Sequence, residues 1–279
     1  MSPPVLLGPA SVDRYVAQGV ELPGGGALNM AYHWSRLGLP FHFLTRVGDD
    51  HAELFLSFMR RHGIEHSASV VAHGPSASID IVIEDDRQPF MDHFVEGVWS
   101  DFRLTVDEEA LVRNAPRLHV VLVEAVAAEV HRLGDAGALA DVSVSGDFLS
   151  FRHYTVERFA ATMAFLDVGI IGWPGALDDP VVAGVREVAF ELGKLVVVTL
   201  GSRGVLVLDG RGEPDERFVA VQALPVLGTT VGCGDAFVAA FLARWWRDGD
   251  VTAAVESGKA GGAAATAWLR PLPDDAYTS

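Results

Sequence analysis

Hydrophobic and polar residues alternate along this chain in blocks that predict short buried strands separated by helices. A compact apolar run at Val5 to Leu7 predicts a first strand. Gly25 to Leu37 predicts a helix that ends at Gly38, and Phe41 to Val47 predicts a second strand. From residue 118 onward, β-branched runs alternate with helical stretches, which is typical of βαβ units. The pattern therefore predicts an α/β fold with a parallel sheet.

The remaining regular elements follow the same two patterns. Predicted strands are Val120 to Val123, Leu139 to Val144, Val168 to Ile171, Leu195 to Thr199 and Gly204 to Leu208. Predicted helices are His51 to His62, Ala125 to Leu133, Thr155 to Phe165, Pro180 to Leu192, Asp235 to Arg247 and Val251 to Leu269. Because ligands of parallel sheets bind outside the carboxyl ends of the strands, functional residues are expected in the loops there.

A second, smaller sheet is predicted in the first third of the chain. Ser76 to Glu84 and Gln88 to Val95 have strand composition and are joined by the polar turn Asp85-Asp86-Arg87, which is typical of a hairpin. With the segment Tyr15 to Leu22, these strands predict a small separate sheet.

Composition and charge favour a globular α/β protein over a nucleic-acid-binding or membrane-binding one. The 279-residue chain is 49% hydrophobic, which suggests one large α/β domain or one domain with an appendage. A formal net charge of −16 disfavours a nucleic-acid or anionic membrane surface. The single cysteine excludes an intrachain disulfide and fits a reducing compartment. No signal peptide and no run of about 18 apolar residues is evident, so a cytoplasmic location is expected.

The turn Gly232-Cys233-Gly234-Asp235 opens a predicted helix and has the strongest chemical character in the chain. Glycines let consecutive backbone N–H groups converge, and the helix dipole adds positive potential there, so the turn suits a phosphate. An aspartate in the first helical turn could take a proton from an attacking hydroxyl. Helix capping by Asp235 is the alternative, but it leaves the two flanking glycines unexplained.

Two further segments carry candidate binding groups, each with a plain structural alternative. The glycine run at the start of PGGGALNMA allows close approach of a ligand or is a flexible turn, and Asn29 behind it could bind a polyol hydroxyl or cap the helix. Asp13 follows the first strand and could accept two sugar hydroxyls, or is an ordinary loop aspartate.

The segment VTLGSRG, Val198 to Gly204, places small residues after a strand end. It could let a purine nucleotide lie against the backbone, or form an ordinary hairpin turn. Other common motifs are missing, since no GxxxxGK[ST], HExxH, CxxC, GxSxG or complete GxGxxG occurs. The ten histidines show no metal-ligand spacing.

Taken together, these segments resemble the ribokinase-like (PfkB-type) carbohydrate kinases over nearly the whole chain. The segment GGGALNMAYHWSRLGLPFHFLTRVGDD resembles the first family signature, and TTVGCGDAFVAAF resembles the second. TLGSRG is similar to the nucleotide-binding turn of the family. Within the family, EGVWSDFRLT and the LPGGGALN form of the first signature are most similar to fructoselysine 6-kinases.

The resemblance implies a ribokinase-like three-layer α/β/α sandwich with a mostly parallel central sheet and a small β-sheet lid over the sugar. It implies one kinase domain, residues 1–279, with lid strands inserted at about 14–22 and 76–96. It also implies an ATP- and Mg²⁺-dependent transfer of the γ-phosphate to a sugar hydroxyl.

The resemblance further implies a role for each candidate residue. Asp235 would be the catalytic general base, and the amides of Gly232, Cys233 and Gly234 would form an anion hole. The residues expected at the sugar are Asp13, Gly25, Gly26 and Asn29. Those expected at ATP are Thr199, Gly201, Gly204, Gly258 and Gly262, the last two against the adenine.

The chain departs from the family pattern at the predicted phosphate and metal positions. By alignment, Gly172 and Gly175 replace the Asn and Glu of an Asn-x-x-Glu motif that serves magnesium and phosphates. Asp178 or Asp179 is a candidate substitute, and the metal ligands stay unassigned.

The second signature departs as well. Thr229-Thr230 stands where the family usually has Asp-Thr, which puts activation by a monovalent cation such as potassium in doubt. Cys233 stands where alanine is usual, and a thiol beside a helix N-terminus is expected to have a lowered pKa.

The leading hypothesis is an ATP-dependent phosphotransferase that acts on a small sugar or a fructoselysine-like sugar–amine adduct. One alternative is a catalytically weak sugar- or nucleotide-binding sensor on the same fold, favoured by the missing Asn-x-x-Glu. Another is a nucleoside kinase, which differs only in its acceptor. The expected partners are a sugar acceptor and ATP, with a homodimer through the lid implied by the resemblance.

Overall fold

The computed structural model describes residues 2–85, 87–151 and 154–278 of the 279-residue chain. Within these residues the chain forms two compact units. The first unit contains residues 5–108 and 225–278, and the second contains residues 2–4 and 109–224. Segments from both ends of the sequence therefore fold together in the first unit.

The strands and helices are numbered in chain order. The strands are β1 (Val5–Leu7), β2 (Ser11–Tyr15), β3 (Val20–Gly24), β4 (His42–Leu44), β5 (Val47–Gly48), β6 (Val71–Ala72), β7 (Ser78–Ile83), β8 (Pro89–Val95), β9 (Arg117–Val121), β10 (Ser143–Ser150), β11 (Val168–Gly172), β12 (Leu195–Thr199), β13 (Val205–Asp209) and β14 (Asp215–Val219). The helices are α1 (Gly26–Arg36), α2 (Ala52–Arg61), α3 (Val106–Asn114), α4 (Glu124–Asp135), α5 (Val156–Met163), α6 (Pro180–Glu191), α7 (Cys233–Asp248) and α8 (Val251–Ala265).

The first unit contains a small sheet of its own. Its strand order is β3-β2-β7-β8, and β7 and β8 form an antiparallel hairpin. Strand β2 pairs antiparallel with β3 and parallel with β7, while β1 pairs in parallel with β4. The predicted hairpin and small separate sheet are confirmed, although the segment predicted over 14–22 is divided between two strands by a short 3-10 turn at Val16–Gln18.

Helices α1 and α7 pack side by side in the first unit. The buried Trp34 of α1 donates its indole N–H to the carbonyl of Ala239 at 3.1 Å, and its ring lies 5.0 Å from that of Trp246. Five residues earlier in α1, Asn29 contacts Asp235 of α7. Residue numbers increase in the same direction along both helices from one contact to the next. The two helices are therefore parallel, and their first turns lie next to each other.

In the second unit, six strands of one sheet lie in the order β14-β13-β12-β11-β10-β9. Strands β9 to β12 pair in parallel, whereas β13 and β14 are antiparallel additions. Residues 195–198 of β12 are fully buried, as is typical of a strand covered on both faces. The predicted mostly parallel α/β sheet is confirmed. In the described part of the chain, no helix has the length and apolar character needed to span a membrane.

Several predicted bounds differ from the structure, and two of the differences have a visible cause. Strand β10 begins at Ser143, because the preceding residues 139–142 close a turn in which Val142 N–H donates to the Leu139 carbonyl at 3.1 Å. The strand predicted over Phe41 to Val47 is interrupted after β4, where Arg46 forms a buried ion pair with Glu108 at 2.5 Å. The prediction also missed α3 and β14.

Candidate active site

The contact between Asn29 and Asp235 joins the two signature segments of the chain. Asn29 lies in the first turn of α1, is 3% exposed, and donates from Nδ2 to Oδ2 of Asp235 at 2.7 Å. Asp235 lies in the first turn of α7 and is half-buried. The amide oxygen of the same side chain, Asn29 Oδ1, is buried without a hydrogen-bond partner among the described residues. A carboxylate oriented in this way can accept a proton from a bound hydroxyl, and Asn29 retains an acceptor for that ligand.

The turn before α7 has the geometry of a phosphate-binding helix N-terminus. Gly232 caps the helix in the left-handed region with φ 76°, which favours glycine. A side-chain carbon at Gly234 would meet no heavy atom within 4 Å, and the residue is exposed, so there is open space beside it. The Cys233 N–H donates to the Thr230 carbonyl at 3.3 Å, so this amide already has a partner. Two requirements for an anion site, the dipole and the accessible backbone, are therefore met.

The thiol of Cys233 differs from its prediction. The sequence predicted a lowered pKa beside the helix N-terminus, but burial and the nearby Asp235 carboxylate raise the pKa of the Cys233 thiol to about 12. Desolvation disfavours a thiolate more than the helix dipole favours it. Sγ faces the Thr229 carbonyl at 3.9 Å. The residue therefore contributes its backbone here rather than a reactive sulfur.

Asp13 lies in β2 and is 4% exposed. Its Oδ1 accepts a hydrogen bond from the Ser11 hydroxyl at 3.1 Å, and burial raises the pKa of the Asp13 carboxyl to about 7. A side-chain carbon at Gly24 would lie 2.1 Å from Asp13 Oδ2, so the carboxylate occupies the space that this glycine leaves. A buried carboxylate with one neutral donor is poorly satisfied, and ligand hydroxyl groups would supply the missing hydrogen bonds.

The three consecutive glycines at the junction of β3 and α1 have different surroundings. Gly24 accommodates Asp13, as described. Gly25 has φ 93°, and a side-chain carbon there would lie 2.8 Å from the Ser11 amide, so glycine is needed at this position. Gly26 is the first residue of α1. The predicted residues Gly25 and Gly26 thus lie beside Asp13 and lead directly into the helix that carries Asn29.

The predicted nucleotide residues belong to the second unit. Thr199 ends β12, and its hydroxyl donates to the Ile171 carbonyl at 3.2 Å. Gly201 has φ 61° with open space around it, and Gly204, with φ 148°, packs against the ring of Phe218. The turn joins the antiparallel strands β12 and β13. The plain structural alternative, a hairpin turn, is therefore correct for the topology, and nucleotide binding at this turn stays a prediction.

The segment aligned with Asn-x-x-Glu is held by an arginine from the neighbouring turn. The guanidinium of Arg203 donates to the carbonyls of Trp173 at 3.2 Å and Pro174 at 2.8 Å, and also to that of Gly175. Asp179 accepts from the Trp173 indole at 3.0 Å and from the Ala176 amide at 2.8 Å. Asp179 is therefore engaged in the loop, while Asp178 is exposed.

The two glycines predicted at the adenine lie in the first unit, on α8, where that helix packs against α7. A side-chain carbon at Gly258 would lie 2.8 Å from the Phe237 ring, and one at Gly262 would lie 3.1 Å from the Cys233 carbonyl. Close helix packing accounts for both glycines, and contact with adenine stays a prediction.

The sequence prediction missed Asp147, a carboxylate near the carboxyl end of β10. It is 5% exposed, its Oδ1 accepts from the Leu149 amide at 2.8 Å, and burial raises the pKa of its carboxyl to about 6. Carboxyl ends of parallel strands are where ligands of such sheets bind. The strand predicted over Leu139 to Val144 ended before Asp147, so this carboxylate was not recognised at a strand end.

The described residues fit phosphate better than a complete metal site. Among them, no group of three or more His, Cys, Asp or Glu side chains is placed to hold a metal ion. Mg²⁺ commonly keeps waters and binds through one or two carboxylates together with substrate phosphates. The exposed first turn of α7 at Gly234 suits the phosphates themselves. A magnesium ion would therefore enter with ATP rather than in a protein cage.

Comparison with known proteins agrees with this geometry. Residues 5–139 and 170–267 match the sequence profile described as pfkB family carbohydrate kinase. Fructoselysine 6-kinase from Escherichia coli (strain K12) is 26% identical over 241 residues, covering 86% of this chain and 87% of that protein. Acarbose 7(IV)-phosphotransferase from an Actinoplanes species is 27% identical over 242 residues, covering 82% of this chain and 76% of that protein.

Among solved structures, Arabidopsis thaliana ribokinase complexed with ribose and ATP matches with a TM-score of 0.75. The match covers 100% of both chains at 20% sequence identity. At this identity the likeness establishes the fold alone, and the predicted ribokinase-like α/β fold is confirmed.

Proposed function

The chain belongs to the pfkB family of carbohydrate kinases, and from that premise we propose that it phosphorylates a sugar–amine adduct of the fructoselysine type. As a member of this family it is a kinase that uses ATP to phosphorylate a sugar-like substrate. The observation that carries the proposed site of phosphoryl transfer is the 2.7 Å contact between Asn29 and Asp235 beside the Gly232 turn. The similarity to a fructoselysine 6-kinase supports the acceptor class.

In the proposed mechanism, Asp235 removes the proton of the acceptor hydroxyl as that oxygen attacks the γ-phosphate. Asn29 orients the Asp235 carboxylate toward the hydroxyl by donating to one of its two oxygens. Charge that builds on the transferred phosphoryl group is stabilised by the amides around Gly234 and by the dipole of α7. When bound with ATP, a magnesium ion would neutralise part of the charge on the phosphate oxygens.

Asp13 is proposed to bind the acceptor through its hydroxyl groups. Its carboxylate is buried and accepts a hydrogen bond from the Ser11 hydroxyl. Two vicinal hydroxyls on one substrate would satisfy it in the ionised form, because a carboxylate accepts several hydrogen bonds. The nucleotide is proposed to bind at the turn that includes Thr199, Gly201 and Gly204.

Replacing Asp235 by Asn tests the base assignment. We expect kcat to fall by roughly 10³-fold, because general base catalysis typically contributes 10²–10⁴-fold, while ATP still binds. The measurement is ADP release with mass detection of the phosphorylated product, over a panel of sugars, fructosamines and nucleosides. Asp107→Asn, an exposed position on α3, is the matched control and should retain wild-type kcat.

The acceptor panel also separates the proposal from its alternatives. Fructosamines should give the highest kcat/KM, whereas a nucleoside in that place would identify a nucleoside kinase. Thermal stabilisation by a sugar without any ADP release would favour a sensor, which the engaged Asp179 and the missing Asn-x-x-Glu support. A wild-type rate in Asp235→Asn would overturn the mechanism.

A further inference from the structure

The tip of the β7–β8 hairpin forms hydrogen bonds with the loop that precedes the glycine turn of α7. We name Arg87 and Gln88 the lid tip, and residues 227–231 the lead-in loop. The Arg87 guanidinium donates to the carbonyls of Leu227 at 3.0 Å and Gly228 at 3.3 Å. The two segments are 140 residues apart in the sequence, so only the tertiary fold brings them together.

The lead-in loop returns three hydrogen bonds to the lid tip. The Arg87 carbonyl accepts from the Thr229 hydroxyl at 3.2 Å and from the Thr230 amide at 3.3 Å. The Thr230 hydroxyl contacts Gln88 Oε1 at 2.9 Å. Arg87 itself has φ 68°, an unfavourable region for a residue with a side chain. Such a conformation persists where surrounding contacts determine it, and these contacts do so.

The same threonines connect the lid tip to the candidate anion hole. The Thr229 hydroxyl accepts from the Val231 amide at 3.3 Å, and the Thr230 carbonyl accepts from the Cys233 amide at 3.3 Å. Gly232, the cap of α7, lies between these two amides. Movement of Arg87 would therefore disturb the hydrogen bonds that shape the glycine turn.

The inner face of the small sheet contacts the lead-in loop at a second point. Tyr15 of β2 and Ile81 of β7 form a buried apolar cluster with Val231. Tyr15 is two residues after Asp13, so both side chains lie on the same face of the strand. The sheet that carries Asp13 is thus held against the lead-in loop by apolar packing as well as by the lid tip.

Thr229 has properties that a carboxylate could not provide at this position. It is fully buried, and its hydroxyl donates to the Arg87 carbonyl while accepting from the Val231 amide. An ionised carboxylate only accepts hydrogen bonds, so aspartate would face the Arg87 carbonyl without a proton to donate. The departure from Asp-Thr to Thr-Thr in the second signature therefore suits this contact.

We propose that Arg87 and Thr229 are positioning residues that lock the lid tip to the lead-in loop and thereby set the glycine turn for phosphoryl transfer. The locked state holds the sheet with Asp13 over the acceptor and fixes the amides near Gly234. An unlocked lid leaves the turn less ordered and admits water to the phosphoryl group. The inference deepens the proposed kinase function and depends on it for its kinetic consequences.

The test uses Arg87→Met and Thr229→Val in the full chain. We expect kcat to fall about tenfold in each, which corresponds to ~1.4 kcal/mol, with the KM for ATP within twofold of wild type. ADP formed per phosphorylated acceptor should rise above one, because an unlocked lid admits water. Hydrogen exchange at the amides of Thr230, Val231 and Cys233 should become at least tenfold faster in the unliganded protein.

Two control variants separate the lock from general weakening of the lid. Arg14→Met removes another arginine of the same sheet, paired with Asp80 at 2.6 Å, and should leave exchange in the lead-in loop unchanged. Thr229→Ser keeps the hydroxyl and should restore kcat and protection. Equal effects of Arg14→Met and Arg87→Met, or wild-type exchange and kcat in Arg87→Met, would overturn the inference. If wild-type protein phosphorylates no acceptor, the proposed function fails, and the exchange measurement still decides the lock.

Discussion

Two turns of the molecule are held in different ways: the glycine turn in the first unit, and the turn of residues 199–204 in the second unit, which is proposed to bind the nucleotide and is called the nucleotide turn below. The glycine turn depends on a side chain from elsewhere in the sequence, since Asn29 reaches Asp235 across 206 residues. The nucleotide turn is closed by its own Arg203, which binds the adjoining loop through three carbonyls. The first arrangement keeps charged and polar groups available for a ligand, whereas the second uses them within the protein.

This difference indicates which of the two turns tolerates substitution. In the proposed mechanism, Asp235 and the glycine turn contact the reacting atoms, so their geometry is restricted by the chemistry. The loop of Gly172 and Gly175 is instead held through its backbone carbonyls by Arg203, without the Asn and Glu of the family motif. If this loop only supports the nucleotide, as proposed, the two glycines are compatible with that role.

Among the variants that compare the two turns, the largest effect should come from a single methyl group in the glycine turn. Gly232→Ala would place a side-chain carbon 2.6 Å from Pro271 Cα in a backbone conformation with φ 76°. The turn must shift to relieve the collision, and displacement of about 1 Å at a catalytic site costs roughly 10²-fold in rate. We expect kcat to fall by that factor, measured as product formation at saturating ATP.

Gly234→Ala is the matched control, because a side-chain carbon there meets no heavy atom within 4 Å in the unliganded protein. It should retain stability close to wild type, measured by thermal unfolding. Equal loss of stability in both variants would show that the turn tolerates no side chain at either position, and the comparison between restricted and open glycines would be wrong.

The sequence predicted the local features of the glycine turn better than those of the nucleotide region. Gly232 and Asp235 are recognisable because a helix start, its glycines and its carboxylate are adjacent in the chain. The role of Arg203 could not be predicted, since its acceptors are backbone carbonyls, which carry no sequence signal. Asp147 was missed because the bounds of β10 were placed too early, and a shift of a few residues moves a side chain from a strand end into a loop.

Helix α3 shows a signal that was present but not used. Thr105 and Glu108 form a capping box: the Glu108 amide donates to the Thr105 hydroxyl at 3.3 Å, and the Thr105 amide donates to the Glu108 carboxylate at 2.9 Å. The lid-tip contacts, in contrast, were beyond prediction, because pairing of Arg87 with Leu227 depends on long-range topology.

The next largest effect concerns Asp13 and depends on pH. Asp13→Asn should lower kcat/KM for the acceptor about 30-fold, equivalent to ~2 kcal/mol for a charged hydrogen-bond acceptor. The pKa of the Asp13 carboxyl is raised to about 7, so kcat/KM of the wild-type enzyme should increase as the pH rises through that value. The Asp13→Asn variant should lack this step, which steady-state rates between pH 5.5 and about 8.5 would reveal.

The same substitution should have the opposite effect on stability. A carboxyl whose pKa is higher in the folded state favours folding most below its ordinary value of 3.8, and this contribution is lost as pH rises toward 7. The melting temperature of Asp13→Asn relative to wild type should therefore increase between those pH values and then level off. A difference that is independent of pH would contradict the assignment of the raised pKa to Asp13.

The smallest effect is expected at Arg203, and it tests the nucleotide side of the comparison. Arg203→Met removes the donors to Trp173, Pro174 and Gly175 while keeping a side chain of similar length. The guanidinium is exposed, so each hydrogen bond is weaker than a buried one, and we expect the KM for ATP to rise about fivefold. The KM for the acceptor should stay unchanged.

Ser202→Ala, an exposed position in the same turn, is the control and should leave both constants unchanged. A fall in kcat with an unchanged KM for ATP would mean that Arg203 acts on the reacting phosphate, and the two regions would then not differ in the way proposed here.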